Sequence, residues 1–161
     1  KAFGTSTRSP LAQAGVGLQG YLAVLPLLFF TSFVFYLWLT RLEYPASLQE
    51  VAEILSRPHA PWLQVYFFFV TILLAPCFEE MLFRGLLFPI LVRWWGLGPG
   101  ILVSALAFAG IHFHLPSLAS LGVMAMGLSL AYLYSGSLLT AMVFHSAFNA
   151  VNLALLLLLR N

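Results

Sequence analysis

Three ionisable side chains, Glu79, Glu80 and Arg84, lie close together in the apolar stretch FEEMLFRG. Each such charge near the centre of a bilayer costs about 2.5–3.5 kcal/mol unless it is paired or lines a cavity. Glu80 and Arg84 are four residues apart and would share a helix face, whereas Glu79 would lie about 100° away. We therefore predict that Glu80 pairs with Arg84 and that the Glu79 carboxylate is left available for proton transfer.

Two histidines and an asparagine on later apolar segments extend this set. His112 follows Phe108 by four residues, and Asn149 follows His145 by four, so each pair would share a helix face. A carboxylate, two imidazoles and an amide from separate helices can hold a metal ion or activate a water. The residues alone leave a second interpretation open, in which an inert ion network lies among packing histidines.

Several familiar chemistries are absent from the sequence. The chain has no H-E-x-x-H motif of helix-borne zinc proteases and no G-x-S-x-G nucleophile elbow. It also has no aspartate, which excludes an intramembrane aspartyl dyad. His114 lies two residues from His112 and would point elsewhere, so it is the weaker histidine candidate.

The overall composition is that of a membrane protein. The 161-residue chain is 61% hydrophobic and 7% charged, whereas about a quarter of the residues in soluble domains are charged. We predict an integral, multi-pass protein of the lipid bilayer. Its few charges form no basic tract, which argues against nucleic acid as a partner. The single cysteine, Cys77, excludes an internal disulfide framework, and we interpret it as a packing residue.

The elements that must position the polar residues are predicted to be helices throughout. One long apolar segment begins at Trp62 and runs through the FEEMLFRG stretch to Trp95, which is too long for one straight crossing. Pro76 or Pro89 is expected to kink it, and Pro76 would free the carbonyl of Ile72. The other predicted apolar helices are Tyr21–Leu39, a short one at residues 101–114, Leu118–Tyr134 and Leu138–Leu159.

The N-terminal third is less informative. We predict a polar lead-in at residues 1–19, and an amphipathic surface helix from Ser47 to Arg57 with a capping box of Ser47 and Glu50. These patterns divide the chain into an N-terminal part, residues 1–61, and a core, residues 62–161.

Three ordered motifs resemble the CPBP intramembrane protease family, also called Abi, which includes the CAAX prenyl endopeptidases. E-E-x-x-x-R-x-x-x-F runs from Glu79 to Phe88, F-x-x-x-H ends at His112, and H-x-x-x-N starts at His145. The likeness covers about Trp62 to Leu157. It implies an all-α, polytopic membrane helix bundle with an intramembrane polar site and an endopeptidase activity.

The resemblance also implies roles for individual residues. Glu79 would activate the attacking water, with Glu80 and Arg84 in support. In one version of the family's chemistry Glu79, His112 and His145 hold a divalent ion such as zinc. In the other version Glu79 is a general base with His112 as its partner, while His145 and Asn149 donate hydrogen bonds to the oxyanion. The sequence leaves both versions open.

The implied substrate is a peptide or protein at the membrane, either prenylated or unmodified. A different class of function also fits the same bundle, namely a non-enzymatic membrane protein of immunity or scaffolding. A proton-linked carrier fits less well, because carriers commonly contain inverted repeats and none is detectable here.

Overall fold

The computed structural model describes residues 9–45, 53 and 60–159, and every regular element in these ranges is helical. The α-helices are α1 (Pro10–Arg41), α2 (Pro61–Phe69), α3 (Ala75–Glu80), α4 (Phe88–Trp95), α5 (Leu97–Gly110), α6 (Leu118–Ser135) and α7 (Leu138–Leu159). Two π-helical turns, Val70–Leu74 and Met81–Leu87, join α2 to α3 and α3 to α4. A short 3₁₀ turn, Leu115–Ser117, leads into α6. The predicted all-α fold is confirmed.

Four helical segments are long and apolar enough to cross a membrane: Pro10–Arg41, Trp62–Trp95, Leu115–Ser135 and Leu138–Leu158. The fifth apolar helix, α5, has 14 residues and is short, as predicted. By length and composition these segments support the predicted multi-pass membrane protein.

The first helix begins earlier than predicted. Residues 10–19 were expected to form a polar lead-in, but they are the first part of α1. The Ser9 hydroxyl accepts a hydrogen bond from the Ala12 amide at 3.3 Å, and Pro10 occupies the first turn, so this start is well capped. Gly17 then lies so close to α7 that a Cβ there would be 2.5 Å from the Thr140 carbonyl oxygen.

Two other predictions for the N-terminal part cannot be compared with the structure. The predicted surface helix, Ser47 to Arg57, lies outside the described residues except for Glu53. Residues 1–8 of the predicted lead-in lie outside them as well.

Each proline of the long helix is the second residue after a π-helical turn. The Ala75 amide donates to the Val70 carbonyl, and the Phe88 amide donates to the Phe83 carbonyl, in each case across five residues. Pro76 and Pro89 are the next residues, respectively. In an α-helix a proline ring collides with the carbonyl four residues earlier, and the wider π turn moves that carbonyl away.

Helix α6 lies at the centre of the core and packs against α1, α5 and α7. Its Met124, Ala125 and Leu128 side chains are fully buried. Gly127, on the same helix, faces the Phe144 ring of α7, and a Cβ there would be 3.1 Å from that ring. Helix α3 packs against α7, which brings the FEEMLFRG stretch beside the helix that carries His145.

Candidate active site

The most deeply buried part of the site is the ion pair between Glu80 and Arg84. The Arg84 Nη1 atom donates to Glu80 Oε1 at 2.9 Å, and both side chains are 0% exposed. Arg84 Nη2 donates to the Ala125 carbonyl of α6 at 2.8 Å, and the guanidinium carbon lies 5.0 Å from the centre of the Phe108 ring. The predicted pair is confirmed, and it is fixed from α6 and α5 as well as from its own helix.

His145 of α7 lies between the two glutamates. Its Nδ1 atom is 2.9 Å from Glu80 Oε1, and its Nε2 atom is 3.7 Å from Glu79 Oε2. Because a carboxylate ionised by its Arg84 partner can only accept, Nδ1 carries the hydrogen of the first contact. The second contact is too long for a direct hydrogen bond. His145 is therefore held by Glu80 and presents Nε2 towards Glu79.

Glu79 is the accessible carboxylate of the site. Its side chain is 29% exposed, whereas that of Glu80 is fully buried. One oxygen of each carboxylate, Glu79 Oε2 and Glu80 Oε2, has no hydrogen-bond partner within the part of the chain that the structure describes. The predicted division holds in pairing and exposure, because Glu80 is bound to Arg84 in the interior and the Glu79 side chain is partly accessible.

His112 reaches the site from beyond the end of α5, which ends at Gly110. The prediction placed it one turn after Phe108 on a continuous helix, and this is wrong for the backbone. The two side chains meet nevertheless, with ring centres 5.0 Å apart. His112 Nδ1 donates to the Phe108 carbonyl at 2.8 Å, because a carbonyl can only accept. In the neutral ring Nε2 is then the acceptor.

Phe108 lies between the two imidazoles. Its ring centre is 5.6 Å from that of His145 in an edge-on arrangement, and its side chain is 0% exposed. The same ring contacts His112 and the Arg84 guanidinium. Phe108 thus connects the part of the site on α5 with the parts on the long helix and α7.

Asn149 lies one turn after His145 on α7, and its amide is hydrogen-bonded to the long helix. Asn149 Nδ2 donates to the Thr71 carbonyl at 2.8 Å. Thr71 lies five residues before Pro76. The sequence predicted instead that Pro76 would free the carbonyl of Ile72, which lies four residues before the proline. The carbonyl that receives the side-chain donor therefore lies one residue before the one that an α-helical register would free, because the π turn shifts the hydrogen-bond register.

The proposed metal ligands do not form a ligand set in this geometry. The sequence suggested Glu79, His112 and His145, of which Glu79 and His145 face one another at 3.7 Å. Each imidazole uses Nδ1 in a hydrogen bond, with Glu80 and with the Phe108 carbonyl respectively, and both Nε2 atoms are left for other contacts. Among the described residues, no three His, Cys or acidic side chains are placed to hold a metal ion. The metal assignment stays a prediction.

Some parts of the site gave little or no signal in the sequence. The Ala125 and Thr71 carbonyls belong to the backbone, so no side-chain pattern indicates them. The fully buried Ser104 hydroxyl lacks a hydrogen-bond partner among the described residues. Its spacing of one turn before Phe108 was the available signal. The weaker histidine candidate, His114, has its Nδ1 2.9 Å from the Ser117 hydroxyl.

Comparison with protein families matches residues 61–151 to the type II CAAX prenyl endopeptidase, Rce1-like. The match covers more than half of the 161-residue chain. The chain belongs to this family. All the polar residues described above from Thr71 to Asn149 lie within the matched range. Comparison with curated proteins and with solved structures gave no match.

Membership of this Rce1-like family confirms the predicted relationship to the CAAX proteases. The protein is an integral, multi-pass membrane protein and a CAAX-type intramembrane protease, whose substrate is a peptide at the membrane. The matched range falls almost entirely within the predicted core, residues 62–161. The division of the chain at residue 61 stays a prediction.

Proposed function

We propose that Glu79 is the general base of this protease and activates the water that attacks the substrate's peptide carbonyl. One observation carries the proposal: Glu79 Oε2 lies buried, without a hydrogen-bond partner in the described chain, 3.7 Å from His145 Nε2. A carboxylate held this way can take a proton from water, and an adjacent imidazole can compensate the change in charge. Glu80 and Arg84 hold His145 in place and take no part in bond making.

In the proposed reaction, Glu79 carries one proton from the attacking water to the departing amine. Glu79 removes one proton from the water, whose oxygen bonds to the carbonyl carbon and leaves a negative oxyanion. With His145 protonated, its Nε2–H donates to this oxyanion. As the C–N bond breaks, Glu79 passes its proton to the departing amine. His112 Nε2, an acceptor in the neutral ring, takes the hydrogen bond from the second hydrogen of the water.

We further propose that this reaction requires no metal ion. Support comes from the side chains themselves, because no three His, Cys or acidic side chains among the described residues are placed to hold a metal ion. In this proposal the His145 imidazole, 3.7 Å from Glu79, supplies the charge compensation that a Lewis acid would otherwise provide.

The proposed substrate is a prenylated peptide with a C-terminal CAAX sequence. Family membership supports this choice, since the matched family is that of type II CAAX prenyl endopeptidases. The purified protein in lipid nanodiscs would be offered a farnesylated CAAX peptide and the same peptide without its lipid. We expect cleavage of the farnesylated peptide to be faster. Equal rates would contradict the assignment of the prenyl group while leaving the peptidase intact.

The test of the base compares Glu79→Gln with Glu43→Gln, which makes the same chemical change at an exposed position of the chain. We expect Glu79→Gln to abolish cleavage and Glu43→Gln to retain it. Labelling of protein termini in host membranes would show whether specific cleaved ends vanish in the same variant. Cleavage by Glu79→Gln would contradict the proposal, and full biological function of a Glu79→Gln, His112→Ala double variant would favour a non-enzymatic role.

A further inference from the structure

In the hydrogen-bond register of the first π-helical turn, the Thr71 carbonyl has no backbone donor. The Ala75 amide donates to Val70, so in this register the next amide would serve Thr71. That next residue is Pro76, which has no N–H group. Because a carbonyl without a donor is costly in an apolar environment, Thr71 requires a partner from elsewhere.

Asn149 supplies that partner from another helix. Its Nδ2 atom donates to the Thr71 carbonyl at 2.8 Å, across 78 residues of sequence. Asn152, one turn further along α7, behaves differently. Its amide donates to the Phe148 carbonyl of its own helix, also at 2.8 Å. The contact of Asn149 is therefore specific to the carbonyl that Pro76 leaves free.

This contact gives α7 a second point of attachment to the long helix. The first point is His145, which is hydrogen-bonded to Glu80. Helix α7 also packs against α1 and α6, and its two attachments to the long helix, one turn apart, fix its rotation and height relative to that helix. Glu79 lies between Thr71 and the rest of the polar cluster along the long helix, so a pivot of α7 would change the separation between His145 Nε2 and Glu79.

We infer that Asn149 is a positioning residue. It acts through the Thr71 carbonyl, made available by Pro76, to hold His145 Nε2 opposite Glu79. The expected effect of Asn149 on kcat rests on the proposed function. The effect of the hydrogen bond between Asn149 and the Thr71 carbonyl on the position of His145 does not.

The experiment is a double-mutant cycle with Asn149→Ala in the wild-type and Pro76→Ala backgrounds. An alanine at position 76 provides an N–H group that can serve the carbonyls of this turn, so the amide of Asn149 is no longer required. We expect Asn149→Ala to lower kcat at least about tenfold in the wild-type background, since an error of about 1 Å in position can cost about 100-fold. KM should change little. In the Pro76→Ala background the same change should cost about threefold or less.

Two matched variants make the cycle specific. Asn152→Ala removes an amide from the same helix and should leave kcat unchanged. Pro89→Ala alters the second π-helical turn, so in this background Asn149→Ala should retain its full effect. The ring ¹³C and ¹⁵N resonances of His145 provide a second readout, which does not depend on catalysis. They should move in Asn149→Ala and return towards the wild-type values when Pro76→Ala is added.

Three results would overturn the inference. An equal loss of kcat in both backgrounds, with unmoved His145 resonances, would show that Asn149 acts directly on the substrate. A lower unfolding temperature without any change in kcat or in the His145 resonances would show a merely structural role. If the Pro76→Ala protein does not fold, the Asn149→Ala variant alone provides the test. Unchanged His145 resonances in that variant would overturn the inference. If the wild type lacks peptidase activity, the proposed function fails, and the resonances and unfolding temperatures of the cycle still decide the inference.

Discussion

The polar site has two halves of opposite character. In the buried half, Glu80 and Arg84 are 0% exposed, paired at 2.9 Å and fixed to the Ala125 carbonyl. In the open half, Glu79 is 29% exposed, and its nearest described ionic partner is His145 Nε2 at 3.7 Å. His145 contacts both halves. The difference teaches that two neighbouring glutamates can have different roles. Glu80 holds Arg84 and His145 in place, and Glu79 is the proposed reactive group.

The largest expected effect comes from the open half. Glu79→Gln should reduce cleavage of a peptide substrate by about 100- to 10,000-fold, the usual range for loss of a general base. Its stability should stay within about 0.5 kcal/mol of wild type, because Glu79 makes no direct hydrogen bond with His145 and Arg84 keeps its Glu80 partner. Peptide cleavage and thermal unfolding in detergent would measure the two quantities. A large loss of stability would show that Glu79, like Glu80, has a structural role in the ion pairs of the site.

A change in the buried half should act on stability first. Arg84→Met leaves the Glu80 carboxylate buried without its cation, which should destabilise the protein by about 3–5 kcal/mol. Adding Glu80→Leu should restore part of this loss, because the apolar pair leaves no uncompensated charge. Thermal unfolding of the two single variants and the double variant would measure the coupling. If the stability losses of the two single variants simply add in the double variant, the broken ion pair is not the source of the loss.

A smaller effect is expected where the two halves meet. Phe108→Leu removes the ring that contacts both imidazoles and the guanidinium, and should cost about 1–1.5 kcal/mol. Activity should fall as well, because His112 and His145 lose their shared support. The matched control is Phe113→Leu, since that ring is 95% exposed. A loss of stability in the control as large as that in Phe108→Leu would contradict this account.

The smallest expected effect is that of metal removal. Dialysis against a strong chelator should change the rate of cleavage by less than about twofold, because the described donors form no three-ligand group. Cleavage assays before dialysis, after dialysis and after addition of zinc would measure this. A loss on dialysis that zinc restores would show that a metal acts in the open half.

Much of the fold was predictable because membrane helices follow hydrophobicity. The sequence placed the last helix at Leu138–Leu159, and the structure has the same bounds. The start of α1 was predicted too late. Hydrophobicity marks the apolar residues that can cross the membrane, but it does not show that the helix extends beyond them. The π-helical turns were also not predicted. Proline signals a disturbed helix, but whether it produces a kink or a wider turn depends on neighbours from other helices.

The site was predictable in its residue types and less so in its connections. The spacing of Glu80 and Arg84 predicted their ion pair, because the two residues share one helix. The meeting of His145 with Glu80 depends on how α7 packs against α3, and no local pattern encodes it. The roles of the Thr71 and Ala125 carbonyls were beyond prediction, because every residue has such a group.

The shortness of α5 has a consequence for the direction of the reaction. Its 14 residues rise about 21 Å, less than the roughly 30 Å of the hydrocarbon layer. A helix of this length cannot reach both interfaces, so one of its ends lies within the layer, where irregular backbone is tolerated only inside protein or beside water. If that end is the one that leads to His112, water reaches the site from that side, and proteolysis releases its fragments to one face of the membrane.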